Sequence, residues 1–227
     1  MAKTPLPDKM KEKPSESART SRSVGPFVVI SRQYGCHAYS LGLLLAATLG
    51  EQTGESWNVY HKDILARLAT ETNLAQEFIE QEMSSKHSVL VDFFRTFSTE
   101  HIPSGYEIRN RITTIIRGLA IQGQAIIIGQ GASGATQDLP NGLSLRLEAP
   151  EDWRVRQVSA EEGLDAAQAR QEIHEVEAQR DYLRHIYELK FPRKPAFHIT
   201  YDCSAFSVSE LAEHIVAMMK IQGMIRP

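Results

Sequence analysis

Cysteine is scarce in this chain, with Cys36 and Cys203 the only two among 227 residues. Two thiols with no metal-ligand spacing exclude a zinc motif or a disulfide framework and fit free thiols in a reducing compartment. The eight histidines contain no His-x-x-x-His pair, so no side-chain metal nest is expected. An excess of charge of one sign is also missing. The net charge of −3 supplies no basic field for nucleic acid. No apolar run approaches a membrane span, and the first residues lack the apolar core of a signal peptide. These absences lead us to expect a soluble cytoplasmic protein that binds neither nucleic acid nor membrane.

What is present is enough apolar material, 42% of residues, for one α/β domain with a real core. Residues 1–26 stand apart. They hold Pro5, Pro7 and Pro14 and almost no large apolar side chain, which is the composition of a disordered tail. The tail's slight excess of cations would allow a weak contact with an anionic partner, though a solvated tail is the simpler reading.

The chain is organised around Phe27 to Gly50. Phe27-Val28-Val29-Ile30 reads as a buried strand, Gly35 as a turn, and Leu41, Leu44, Leu45 and Leu49 as one face of a helix. A strand feeding a helix through a tight loop is where phosphate-binding folds place an anion. The loop Gly35-Cys36-His37-Ala38-Tyr39-Ser40 departs from the P-loop pattern. It keeps one glycine and has no lysine, and Tyr39-Ser40 stands near the place of Lys-Ser/Thr, one residue short in spacing. A phosphate cradle and an ordinary strand–helix turn both remain open on this pattern.

Downstream, Trp57 to Tyr60 reads as a second strand, followed by His61, Lys62 and Asp63. Asp63 there is well placed to support a helix N-terminus. Val89, Leu90, Phe93, Phe94 and Phe97 form an apolar stripe at helical spacing. Such a stripe fits internal packing, and alternatively a surface for a protein partner. Gly105 to Gly123 is expected to be a helix with Ile108, Ile112, Ile115, Ile116 and Leu119 inward and Arg109, Arg111 and Arg117 solvated. Ala125 to Ile128 lacks alternation and so reads as a strand covered on both faces, ending in Gly129-Gln130-Gly131. Leu143, Leu145 and Leu147 alternate with Ser144 and Arg146 as another strand. Asp165 with Gln168, and Ser207 with Glu210, have capping-box spacing. Arg180 and Arg184 lie one turn apart on a long helix. Strands alternating with helices favour crossover connections and a parallel sheet.

Ile30-Ser31-Arg32-Gln33-Tyr34-Gly35 with Gly42, Tyr60-His61-Lys62-Asp63-Ile64, Ala125 to Ala132, and Leu145 to Pro150 resemble, in order, the cytidylate kinase-like family of P-loop nucleoside monophosphate kinases. The resemblance implies an α/β fold, a three-layer parallel sheet of P-loop kinase type over residues 27–222. It further implies a helical acceptor-binding insertion at 74–103 and a helical lid at 150–190. The implied chemistry is phosphoryl transfer from ATP, with Mg²⁺, to a nucleoside monophosphate such as CMP or dCMP. By resemblance, Arg32 and Gly35, Cys36, His37, Ala38, Tyr39 and Ser40 would hold ATP. His61, Asp63, Gln130 and Gly131 would hold the acceptor, and Arg154, Arg180 and Arg184 would act on the transferring group.

The sequence departs from the family pattern at several of these positions. His37, Ala38 and Tyr39 stand in place of a Gly-Gly-Arg run, and His61 in place of a carboxylate. Gln130 and Gln157 stand in place of arginines, with Arg156 next to the latter but on another helix face. The alternative implied by these losses is a catalytically degenerate kinase fold acting by nucleotide, anion or protein binding.

Overall fold

Four consecutive apolar residues at the start of the first strand demand cover on both faces, and the fold supplies it. The computed structural model describes residues 24–62, 104–190 and 196–226. Strands β1 (Phe27–Arg32), β2 (Asn58–Tyr60), β3 (Ala125–Ile128), β4 (Gly142–Glu148) and β5 (Ile199–Asp202) form one sheet. Its order is β2-β3-β1-β4-β5, and every pairing is parallel. The helices among the described residues are α1 (Ala38–Thr53), α2 (Ser104–Gln122), α3 (Ala132–Ala135), α4 (Glu151–Glu162), α5 (Ala166–Lys190) and α6 (Val208–Ile221).

Period-two geometry divides the strand residues between two layers. Val28, Ile30, Ile126, Ile128, Leu143, Leu145 and Leu147 meet α1 and α6 through Leu41, Leu45, Leu49, Leu211, Ile215 and Met219. Phe27, Val29, Ala125 and Ile127 meet α2 and α3 on the other face through Ile115, Ile116, Leu119 and Ala135. Leu41, Leu45 and Leu49 are fully buried, and each contributes about 2 kcal/mol by leaving water. A third, smaller cluster of Val155, Val158, Ala169 and Ile173 joins α4 to α5 at the carboxyl edge of the sheet. Among the described residues, no helix is long and apolar enough to cross a membrane.

Both expected caps form. Asp165 Oδ1 accepts from Gln168 N–H at 2.9 Å while Gln168 Oε1 accepts from Asp165 N–H at 3.1 Å. Ser207 and Glu210 cap α6 in the same reciprocal way. Two arginines depart from their expected exposure. Arg117 is completely buried rather than solvated, and its two terminal nitrogens fork onto Asp138 at 2.7 and 2.8 Å. Arg146 is also buried, although the strand alternation points it outward. Its Nη1 donates to Ser31 Oγ at 2.9 Å, its Nε to Glu148 at 3.1 Å, and its guanidinium lies 5.9 Å from the Phe197 ring centre. Asp63, the 74–103 stretch, the tail to residue 23 and the side chains of Arg109, Arg111 and Arg184 lie outside the described residues.

Candidate active site

β1 is the central strand. The chain leaves it through α1 toward β2 on one side and later returns to β4 on the other. The carboxyl edge beside such a reversal is where open α/β sheets bind ligands. The Gln33–His37 loop stands at that edge. Gly35 turns it with φ +84°, and a side chain there would press on Arg154 and Val158 of α4, so the loop lies against that helix. Arg154 is buried and donates Nε to Ala149 O at 3.1 Å and Nη1 to Tyr34 O at 3.4 Å. Its fork thus braces the loop's main chain.

Helix α1 begins without a side-chain cap and without an acid in its first turn. Among the described residues, the N–H groups of Gly35, His37, Tyr39 and Ser40 have no protein acceptor. Such a group of donors at a helix start favours an anion. Ala38 N–H is already used, on Cys36 O at 2.6 Å. Cys36 is buried and shares a hydrogen bond with Cys203, which together with burial pushes its thiol up and brings that of Cys203 down.

His37 turns toward α4. Its Nδ1 is 2.9 Å from Glu161, its Nε2 3.2 Å from Gln157, and its ring meets Trp153 edge-on at 5.8 Å. The same imidazole walls a cavity of about 130 Å³ with Leu41, Leu147, Trp153, Cys203 and Phe206. That volume is close to the roughly 150 Å³ that accommodates one aromatic ring elsewhere. Tyr39 points out to solvent and meets His61 at the end of β2, with ring centres 5.0 Å apart. Two positions that depart from the family pattern therefore touch each other.

The positive side of the site is built from β1, β4 and α5. Arg32, at the end of β1, lies over Gly129 so closely that a Cβ there would overlap its guanidinium. Among the described residues, the Arg32 guanidinium has no hydrogen-bond or ion-pair partner. Burial first, then the neighbouring Arg180 charge, with a smaller push from Arg146, bring Arg32 down to about 10, against an opposing pull from Glu177. Arg32 is thus still a cation at neutral pH, in a place where burial and the neighbouring cations outweigh the Glu177 charge. Arg180 sits 5.2 Å from the Tyr34 ring centre. Its Nη1 is 3.3 Å from Glu177 and 3.5 Å from Arg32 O. Burial lowers its basicity as well.

Beyond Arg32 the chain takes three successive left-handed residues, Gly129 at φ +73°, Gln130 at +55° and Gly131 at +72°. Glycine adopts this region without cost, whereas glutamine pays about 1 kcal/mol or more. Gln130→Gly is accordingly expected to stabilise the protein by about 1 kcal/mol in urea unfolding. A loss of stability would show that the amide makes compensating contacts.

The structure thus brings Arg32, Gly35, Cys36, His37, Ala38, Tyr39, Ser40, Arg154 and Arg180 around one loop, with Gln130 and Gly131 at the neighbouring strand end and His61 reached through Tyr39. Sequence reasoning missed Tyr34, Arg146, Glu161 and Glu177. Arg146 carried a usable signal, being a cation within an otherwise apolar strand.

A family model described as the cytidylate kinase-like family matches residues 27–205. No curated protein matches. Among solved structures, an uncharacterized protein from Eubacterium ventriosum superposes with a TM-score of 0.64 at 17% identity, covering 86% of this chain and 98% of its own. Shikimate kinase from Acinetobacter baumannii in complex with shikimate reaches 0.46 at 14% identity, covering 88% and 96%. Dephospho-CoA kinase from Campylobacter jejuni reaches 0.36 at 13%, covering 90% and 100%. The first similarity supports the fold, and the other two are too distant to add to it. With a parallel sheet in this order, the strand–loop–helix at its centre and a family match over most of the chain, this protein belongs to the cytidylate kinase-like family.

Proposed function

We propose that this protein transfers a phosphoryl group from ATP to a nucleoside monophosphate of the CMP/dCMP class. The observation that carries the proposal is the Arg32 guanidinium, without a hydrogen-bond or ion-pair partner among the described residues, held over Gly129 beside the Arg180 charge at the sheet edge where the loop begins. Catalysis of this reaction is chiefly positioning and stabilisation of charge on the moving group. Arg32 and Arg180 provide two cations near the place where family members carry one in the loop itself. Arg184, one turn on, is assigned to the same group by its spacing.

The residues present fit ATP. The loop donors would take its phosphate oxygens. Ser40, exposed in the first turn of α1, would hold Mg²⁺, with water and phosphate oxygens completing its shell. The ion would screen the charge that gathers on the phosphates. Gln130, Gly131, His61 and Asp63 are assigned to the acceptor. The acceptor's phosphate oxygen forms the new P–O bond as the bond to ADP breaks. On this reading α4 and α5 serve as the lid and residues 74–103 as the acceptor-side insertion.

A second reading, binding without transfer, is favoured by Tyr39 standing where a cation is expected and by the forks of Arg154 and Arg180 being engaged with protein atoms. One assay separates the two. With ATP–Mg²⁺ and CMP or dCMP, the first reading expects ADP and the nucleoside diphosphate in equal amounts. Absence of turnover with every nucleoside monophosphate, together with ATP binding, would replace it by the second.

A further inference from the structure

Helix α5 places a carboxylate where a ligand oxygen would be expected. Glu177 Oε1 accepts the Tyr34 N–H of the loop at 2.6 Å and lies 3.3 Å from Arg180 Nη1. Its charge also acts on Arg32. An ordinary i,i+3 ion pair on a helix surface contributes only a few tenths of a kcal/mol and faces water. This pair differs, because Glu177 is only 18% exposed and is aimed at an amide 143 residues earlier in the chain. One loop amide and one guanidinium on a single carboxylate oxygen, with the Arg32 charge close enough to act on it, make the kind of environment that binds a phosphate oxygen.

The contact is not isolated. The Tyr34 hydroxyl bonds to Glu162 and, at 3.4 Å, to Glu172, and His37 bonds to Glu161. The α4–α5 hairpin thus docks four carboxylates onto the two loop residues Tyr34 and His37. Burial and the Glu162 charge push the Glu172 carboxyl up, a sign of crowded negative charge. A polyphosphate entering this site meets like charge from the hairpin and a donor that is already occupied.

We propose that Glu177 is a built-in anion that occupies the phosphate subsite formed by Tyr34 N–H, Arg180 and Arg32, and that a ligand phosphate binds by displacing it. The proposal rests on the phosphate-binding reading of the loop and adds a control on it. Ligand affinity is the difference between the phosphate's hold on the subsite and the carboxylate's. The other three carboxylates share the same docking, so displacement of Glu177 loosens the hairpin as a unit.

Glu177→Gln tests this in the full chain. The amide oxygen keeps an acceptor for Tyr34 N–H, and only the charge is removed. Wild type and variant are titrated calorimetrically with inorganic pyrophosphate and with ATP–Mg²⁺. The expected result is pyrophosphate binding about tenfold tighter or more in the variant, the scale set by one released charge interaction. Detectable binding in the variant alone would support the proposal equally. Equal or weaker binding in the variant, with clear binding by wild type, would overturn it and leave the loop's phosphate site standing. No binding of either ligand to either protein would overturn both. If the glutamine variant does not fold, Glu177→Ala carries the same expectations.

Discussion

Arg32→Gln is expected to lower kcat for phosphoryl transfer about a hundredfold or more, the loss typical of removing one preorganised donor from a charge-stabilising site. If the protein binds without turning over, the same variant is expected to lose most of its affinity for ATP–Mg²⁺. Arg32 differs from its neighbours in what it does for the fold. Arg146 and Arg154 donate to Ser31, Glu148, Ala149 and Tyr34, whereas the Arg32 guanidinium has no hydrogen-bond or ion-pair partner among the described residues. Holding a half-buried guanidinium beside other cations, with no side-chain partner among the described residues, is costly, as its lowered basicity indicates. The variant is therefore expected to be as stable as wild type or more stable. Loss of function with unchanged or raised Tm would mark a residue kept for its ligand. A fall in Tm parallel to the loss of function would mark Arg32 as structural. Arg32→Lys keeps the charge without the planar fork, so it is expected to recover only part of the activity.

Asp138→Ala is expected to destabilise the protein by about 3 kcal/mol, because it strands a guanidinium that has no access to water. For a chain of this size that corresponds to a Tm lower by about 10 °C, readable by calorimetry. The side chain of Arg117 is 0% exposed and that of Asp138 is 41% exposed, so the two halves of the pair are not equivalent. Arg117→Met leaves a carboxylate that solvent can rehydrate, and it is expected to cost less than Asp138→Ala. Equal costs would contradict this asymmetry.

The pair also sets part of the acid limit. Burial alone would push the Asp138 carboxyl up, but the hydrogen bonds and charge of Arg117 prevail and hold it below the usual carboxylate range. A depressed carboxyl adds stability that is complete above its unfolded value of about 4 and is lost as pH falls through the folded one. Asp138→Asn is expected to flatten the stability profile below about pH 4. Asp202 and Glu210, depressed by hydrogen bonds from Ser204 and Ser207, preserve a residual slope there.

Much of this architecture could be read from the chain because its causes are local. The apolar run at Phe27, the helical spacing of Leu41, Leu45 and Leu49, the stop at Gly123 and both capping boxes act within a few residues of themselves; Leu44, read on the same helix face, is instead exposed because the buried stripe follows the i, i+4 row and leaves it at the edge. Arg117 was misread because helical period places it off the apolar face. What buries it is Asp138, in the turn after the four-residue α3, an element that no periodicity announces. Arg146 is held by Ser31 across the sheet, a relation fixed only by strand register. The same limit applies at the site. His37 and Tyr39 were visible as departures from a phosphate-loop pattern, but that His37 reaches α4 and Tyr39 reaches His61 follows from tertiary packing. Glu177 carried no signal in the sequence, and only the docking of α5 onto Tyr34 gives it a meaning. The run of three left-handed residues around Gln130 was half legible, since the glycines signalled close approach and the glutamine concealed the strain.

The account stands most directly on whether the loop after β1 receives nucleotide phosphates. Calorimetric titration of the full chain with ATP–Mg²⁺, repeated for Arg32→Gln, tests this. The account predicts saturable one-to-one binding by the wild type and its loss in the variant. Absence of heat from the wild type up to millimolar nucleotide, or undiminished binding after Arg32 is replaced, would contradict it.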